Sequence, residues 1–305
     1  MGLFTRAVMT AADHPKVESL VTRGRLARPV VQRFVAGEDL EDAIQAIKDL
    51  NSRGVGGILD LLGEGVENPE GAIQARDDYL ASVLRIEETG IDTTVTIKPS
   101  QLGVSFDKAG CIDHLRAIAA ATRRIKVGIE IDMEQSRFVS DTIEVYRTLQ
   151  PEFGDLRLAV QAYMRRTPAD LQAMAELRPR VRLIKGAYEE PEAIALQKRS
   201  EITAQYAHLI EWLFDHGTDP GIATHDEALI EHARATGERA GATSGDYEIQ
   251  MLYGIRRDLQ TRLAREGFRV RVYVPFGSAW YPYLMRRIGE RPANLRFFLR
   301  ALAGR

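Results

Sequence analysis

Two adjacent arginines, Arg286 and Arg287, stand in the stretch WYPYLMRRIGERPAN, with Tyr283 three residues before the pair and Glu290 three residues after it. On a helix these four positions fall within roughly a 100° arc, while Leu284, Met285 and Ile288 take the opposite side. A forked pair of guanidiniums flanked by a phenol and a carboxylate suits a small carboxylate or phosphate. The same four residues also describe a solvated face on which Glu290 neutralises Arg286. The helix alone does not decide between the two.

The other ionisable side chains gather at the ends of short β-rich runs. Asp60 and Glu64 close GGILDLLGE, Lys98 closes DTTVTIK, and Asp132 with Met133 follows GIEI. Gln161 and Tyr163 end DLRLAVQAY; Arg182, Lys185 and Tyr188 lie in VRLIKGAY; Thr224, His225 and Asp226 follow GIA; Gln250, Leu252 and Tyr253 end YEIQMLY. Asp226, standing before EALI, also reads as a helix cap. The last run, RVRVYVPFG, carries Tyr273 and leads into the arginine helix, where Pro282 suits a first turn and Pro292 a stop.

The elements that must position these residues alternate. Eight β-rich runs, beginning near residues 56, 92, 126, 155, 181, 220, 247 and 269, are each followed by a helical stretch. Eight such units with near-continuous apolar strands predict a (β/α)8 TIM-like barrel, whose catalytic face is the C-terminal ends of the strands. Before it, residues 4–37 read as helical with breaks near Pro15 and Pro29, giving a small N-terminal helical cap over 1–37 and a barrel catalytic domain over 38–305. A clear helix follows, with Leu40, Ala43, Ile44, Ile47 and Leu50 at helical spacing and Gly54 as its stop. An open nucleotide-binding sheet fits less well, because no G-x-G-x-x-G follows the first strand and no Walker A sequence occurs.

Composition narrows the chemistry. The 305 residues are 45% hydrophobic and 28% charged, with a formal net charge of −2, which gives no support for nucleic-acid binding. Cys111 is the sole cysteine, which excludes an internal disulfide framework and a multi-cysteine metal site. A single strand-end histidine with scattered carboxylates does not make a metal cluster, and no G-x-S-x-G elbow is present. No apolar run is long enough for a bilayer, and the N-terminus lacks a signal core, so we read the protein as cytoplasmic. Peripheral contact with the inner face of the membrane stays open.

Two classes of chemistry remain. The excess of cations fits one large anionic cofactor and one small anionic substrate, as in a flavin oxidoreductase acting on an amino acid. Lysines at strand ends, Lys98 and Lys185, fit instead a Schiff-base-forming aldolase or lyase, although that reading leaves the arginine pair and Gln161 without a task.

In this order, ILDLLGE, TIKPSQLG, IDME, RLIKGAY, ATHD, YEIQMLYG and YVPFG followed by WYPYLMRRIGERPAN make the chain resemble the proline dehydrogenase family in its short monofunctional bacterial form, from about Val35 onward. The resemblance implies a distorted (β/α)8 barrel holding FAD, and oxidation of L-proline to Δ1-pyrroline-5-carboxylate by hydride transfer from C5 to flavin N5, with electrons passed to a quinone. It further implies that Arg286, Arg287 and Lys98 hold the proline carboxylate. Tyr273, Tyr283, Tyr188 and Leu252 would then enclose the ring, and Glu290 would steady the arginine pair. Asp132 would anchor the network and is a candidate for the amine proton, although pairing with Lys98 is an equal alternative. Arg182 and Gln161 would address the flavin ring, and Met133, Lys185, Gly186, Ala187, Thr224 and His225 would contact the cofactor. Pyrroline-5-carboxylate dehydrogenase is expected on a separate chain.

Overall fold

The computed structural model describes residues 28–63 and 65–290, with the side chains of 28–30 and 288–290 outside the description. Eight parallel strands close into a barrel: β1 (Gly56–Leu61), β2 (Thr93–Ile97), β3 (Ile129–Ile131), β4 (Arg157–Gln161), β5 (Arg180–Ile184), β6 (Gly221–Ala223), β7 (Glu248–Leu252) and β8 (Arg269–Phe276). Closure is made by β8 on β1, where Gly56 pairs with Arg271 and Leu61 with Phe276. The expected barrel is therefore present, with every strand in the run that predicted it.

Two short segments precede it: helix α1 (Arg28–Phe34) and helix α2 (Leu40–Asn51). Pro29 sits in the first turn of α1, where its missing N–H goes unused. The rest of the expected cap, residues 1–27, lies outside the described residues.

Outside the barrel lie α3 (Pro69–Thr89), α4 (Lys108–Arg124), α5 (Val139–Phe153), α6 (Thr167–Gln172), α7 (Arg199–His216), α8 (Glu227–Arg239), α9 (Arg257–Arg265) and α10 (Trp280–Glu290). Local chemistry sets several of their ends. Asn68 accepts from the Gly71 N–H at 2.8 Å ahead of Pro69, and Asp107 accepts from the Gly110 N–H at 2.9 Å, so both helices begin on side-chain caps. Gly90, at φ 61°, ends α3 in the left-handed conformation. None of the helices among the described residues is long and apolar enough to cross a membrane.

The strands alternate, which corrects the expectation of near-continuous apolar runs. Val95, Ile97, Ile129, Ile131, Leu158, Val160, Val181, Leu183, Ile249, Met251, Val270, Val272 and Val274 belong to the apolar core shared with the helices. The intervening positions face inward, as a period of two requires. Many of them are polar and buried: Thr96 on β2, Glu130 on β3, Arg157 and Gln161 on β4, Arg182 on β5, Glu248 and Gln250 on β7. Gly57 shows how closely the outer layer approaches, since a Cβ there would lie 2.8 Å from the Ile47 side chain on α2.

The chain leading into the barrel also ties down the helix that follows β8. Ala36 N–H donates to the Pro275 carbonyl at 2.9 Å and Gly277 N–H to the Gly37 carbonyl at 3.0 Å. The Trp280 indole then donates to Glu38 Oε1 at 2.9 Å, fixing the first turn of α10.

Candidate active site

At the C-terminal mouth of the barrel the structure joins five side chains from five strands or their ends. The Lys98 ammonium, just beyond β2, donates to Asp60 on β1 and lies 3.7 Å from Asp132 Oδ2, just beyond β3. Asp132 Oδ1 accepts from Arg182 Nη1 on β5 at 2.7 Å, and its Oδ2 accepts from the Tyr273 hydroxyl on β8 at 2.7 Å. Each strand supplies its member because inward positions come every second residue and the barrel ends converge. The expected direct pairing of Asp132 with Lys98 is secondary: the close partner of Lys98 is Asp60, whose side chain is fully buried.

Electrostatics fix the protonation states. Burial disfavours the Lys98 ammonium, but the carboxylates of Asp60 and Asp132 outweigh it and hold the amine well above the ordinary lysine range. Burial likewise opposes the Arg182 charge, and Glu130 and Asp132 restore it. Burial, together with the nearby Asp132 and Asp60 carboxylates, pushes the Tyr273 phenol well up, so it stays a donor. The Arg182 guanidinium carbon lies 5.3 Å from the centre of the Tyr273 ring.

Beneath this row is a layer that strand-end reasoning passed over. Arg182 Nε donates to Glu130 Oε2 at 2.8 Å, Thr94 donates to Glu130 Oε1 at 2.7 Å, and Gln250 Nε2 reaches both Glu130 and Glu248 Oε1. Arg157 Nη1 then meets Glu248 Oε1 at 2.8 Å, and Arg271 Nε meets Glu248 Oε2 at 2.9 Å. Lys98, Arg157, Arg182 and Arg271 thus interleave with Asp60, Glu130, Asp132 and Glu248 from one end of the barrel to the other. The signal was in the sequence as charges at alternate positions of IEID, RLAVQ, VRLI and EIQML.

The residues expected around a cofactor form an arc at the ends of β4, β5 and β6. Gln161 holds that arc from beneath: its Nε2 donates to the Glu134 carbonyl at 2.9 Å and its Oε1 accepts from the Ala187 N–H at 3.4 Å. Both ends of its amide are thereby engaged within the protein. Lys185 pairs with Asp226 at 3.0 Å, and Asp226 stands at the N-cap position of α8, as its sequence context indicated, without a side-chain cap hydrogen bond. Thr224 Oγ1 accepts from the Asp226 N–H at 3.2 Å. His225 Nε2 accepts from the Leu252 N–H at 2.9 Å, which assigns the neutral ring with its proton on Nδ1 and joins the ends of β6 and β7. Met133 is buried directly after Asp132.

Gly186 turns at φ 124°, and a Cβ there would lie 2.2 Å from the Tyr163 ring. With Lys185, Ala187 and Tyr188 it stays half-buried at the mouth, where backbone and cation are accessible together. A polar loop carrying one cation, a glycine and a nearby hydroxyl and imidazole is a donor set that fits an anionic, planar cofactor.

On α10 the arginine face turns inward. Tyr283 and Arg287 are buried and Arg286 is half-buried, while Leu284 and Met285 are buried as well, so the reading of a solvated face is set aside. Arg287 lies with its guanidinium carbon 5.2 Å from the Tyr283 ring centre, and Arg286 stands 5.8 Å from that of Tyr188 on the loop after β5. The side chain of Glu290 and all of Glu64 lie outside the described residues. A cavity of about 430 Å³ near the opposite end of the barrel, beside Asp92, Lys126 and Arg271, contains none of the candidate residues.

Comparison with known proteins gives concordant results. A family model described as proline dehydrogenase matches residues 43–300. The chain is 38% identical over 305 residues to a proline dehydrogenase of Deinococcus radiodurans, covering 98% of each chain. It is 35% identical over 271 residues to proline dehydrogenase 1 of Bacillus subtilis, covering 89% of this chain and 90% of that one. Among solved structures it resembles proline utilization A of Bdellovibrio bacteriovorus inactivated by N-propargylglycine, with TM-score 0.80 and 22% identity over 86% of this chain; the match spans 32% of that longer protein and speaks to the fold.

Proposed function

The chain belongs to the proline dehydrogenase family, and on that premise we propose that it oxidises L-proline to Δ1-pyrroline-5-carboxylate with FAD as cofactor and a quinone as electron acceptor. The observation that carries this reading is the Asp60–Lys98–Asp132–Arg182 row at the barrel mouth, completed by Tyr273. A bound FAD would supply the hydride acceptor, its N5, for the hydrogen leaving proline C5. Gln161, Lys185, Gly186, Ala187, Thr224, His225 and Met133 are the residues that would hold it, and Arg182 would face its ring.

The chain's own residues do the remaining work. Arg286, Arg287 and Lys98 bind the proline carboxylate, a task for which three fixed cations need no reorganisation. Tyr273, Tyr283, Tyr188 and Leu252 surround the ring and exclude water, and orientation of this kind removes several kcal/mol of barrier. Asp132 holds Arg182 and Tyr273 in place. Its two oxygens already accept two hydrogen bonds, which favours the anchoring role.

For Lys98 the Schiff-base alternative is disfavoured by the same geometry. Lys98 is kept as an ammonium between two carboxylates, whereas a nucleophilic lysine must be neutral. Anaerobic titration of the purified protein with L-proline tests the proposal. Bleaching of flavin absorbance is the expected result; a colourless protein trapped by borohydride in the presence of a carbonyl substrate would overturn it.

A further inference from the structure

Resting on the reading that Arg182 faces the flavin, we infer that Glu130 is the positioning residue that fixes the Arg182 guanidinium, and that Ala159 is the gap through which Arg182 reaches it. Glu130 and Arg182 are on β3 and β5, which are not neighbours; β4 runs between them. Arg182 is paired in register with Ala159, and the inward positions on either side of Ala159 are the long side chains of Arg157 and Gln161. Only at 159 does β4 present a methyl group inward. A guanidinium can cross there and nowhere else along the strand.

Beyond the gap, Arg182 meets two carboxylates of one strand. Glu130 and Asp132 are two residues apart, so both point inward. Nε donates to Glu130 Oε2 at 2.8 Å, Nη2 lies 2.7 Å from the same oxygen, and Nη1 donates to Asp132 Oδ1 at 2.7 Å. A planar fork that donates from Nε to one carboxylate and from Nη1 to the other is held at two points.

Glu130 is itself immobile. It is 1% exposed and receives Thr94 Oγ1 at 2.7 Å, Gln250 Nε2 at 3.0 Å and Arg157 Nη1 at 3.6 Å. Burial pushes its carboxyl up, but Arg182 and Arg157 outweigh this and hold it down at about 2, so it is an anion throughout the working range. Asp132 alone, at the mouth and shared with Tyr273, grips only one tip of the fork.

The test compares holoenzyme variants Glu130→Gln, Arg182→Met and the double variant. Glu130→Gln is expected to slow anaerobic flavin reduction by proline about tenfold or more, a barrier change of about 1.4 kcal/mol, while proline affinity changes less than about twofold. The midpoint potential of the bound flavin is expected to fall, because the guanidinium no longer stands in place to stabilise the reduced form. On the Arg182→Met background the Glu130 change is expected to add little, the signature of two residues acting as one unit.

A rise in potential would show Glu130 to be a counter-charge and overturn the positioning role, as would an unchanged rate or fully additive effects. If Arg182→Met alone alters neither rate nor potential, the flavin-facing reading falls and Glu130 with it. If Arg182→Met has its effect and Glu130→Gln does not, Glu130 alone falls. Should Glu130→Gln fail to yield folded flavoprotein, Ala159→Val retains every charge and narrows the gap. It is expected to give the same slow reduction and lowered potential with proline affinity kept, and wild-type behaviour would overturn the inference.

Discussion

Arg287 lies over Tyr283, one helical turn back on α10, with its guanidinium carbon 5.2 Å from the ring centre. The contact holds the cation on the inward face of the helix, and Arg287 is the more buried of the two arginines.

Arg287→Met is therefore expected to raise the KM for proline more than Arg286→Met does. Hydrogen bonds to charged groups contribute about 1.5–3 kcal/mol, or roughly 10–100-fold in KM. The variant should remain yellow, since Arg287 is not among the residues proposed to hold FAD. Steady-state kinetics with flavin content measured on the same samples checks this, and unchanged proline affinity would remove Arg287 from the substrate clamp.

The acid limb of stability should carry the signature of Glu130. Its folded value of about 2 lies below the ordinary glutamate value, so its contribution is complete above about pH 4.5 and is lost as pH falls toward 2. For one group this amounts to about 3 kcal/mol. Lys98 has the opposite sign: raised above its ordinary value, it stabilises fully below about pH 10 and loses that contribution only as pH rises beyond. Thermal midpoints between pH 2 and 5 should therefore fall less steeply with acid in Glu130→Gln than in the parent; identical slopes would contradict the assignment.

Glu248 is held by Arg157 and Arg271 at 2.8 and 2.9 Å, with Gln250 at 2.7 Å between it and Glu130. Glu248→Leu leaves two guanidiniums in the barrel without that shared anion, and removal of one partner from a buried ionic cluster costs about 3–5 kcal/mol. A large drop in unfolding midpoint is expected, at the end of the barrel remote from the proposed substrate. Calorimetry of the variant decides it, and a loss below about 1 kcal/mol would show that relaxation or water replaces the ion pairs.

Strand position and strand ends were legible because the barrel repeats a local pattern eight times. RLAVQ and EIQML each show which residues end at the mouth, and Lys98, Asp132 and Tyr273 were reached in this way. The pairing within the layer below was not legible, although its inward polar positions were, because its partners are joined only when the barrel closes: Arg157 meets Glu248 from 91 residues away and Arg182 meets Glu130 from 52. Asp226 was legible in part: it stands at the N-cap position its sequence context indicated, while its pairing with a lysine 41 residues earlier was not legible.

Gly186 gives the sharpest single test of the cofactor arc. At φ 124° only glycine is at ease, and a Cβ would be forced to within 2.2 Å of the Tyr163 ring. Backbone strain of this kind costs about 1–3 kcal/mol, and the clash adds to it, so Gly186→Ala must displace either the Lys185–Ala187 turn or the ring. Gln161 holds the Ala187 N–H, and Lys185 is tied to Asp226, so the displacement passes directly into residues proposed to hold FAD. The expected outcome is a folded barrel with a lowered unfolding midpoint that loses flavin on gel filtration and regains it only at raised FAD concentration. Full retention of flavin with parental reduction kinetics would place the cofactor away from this turn.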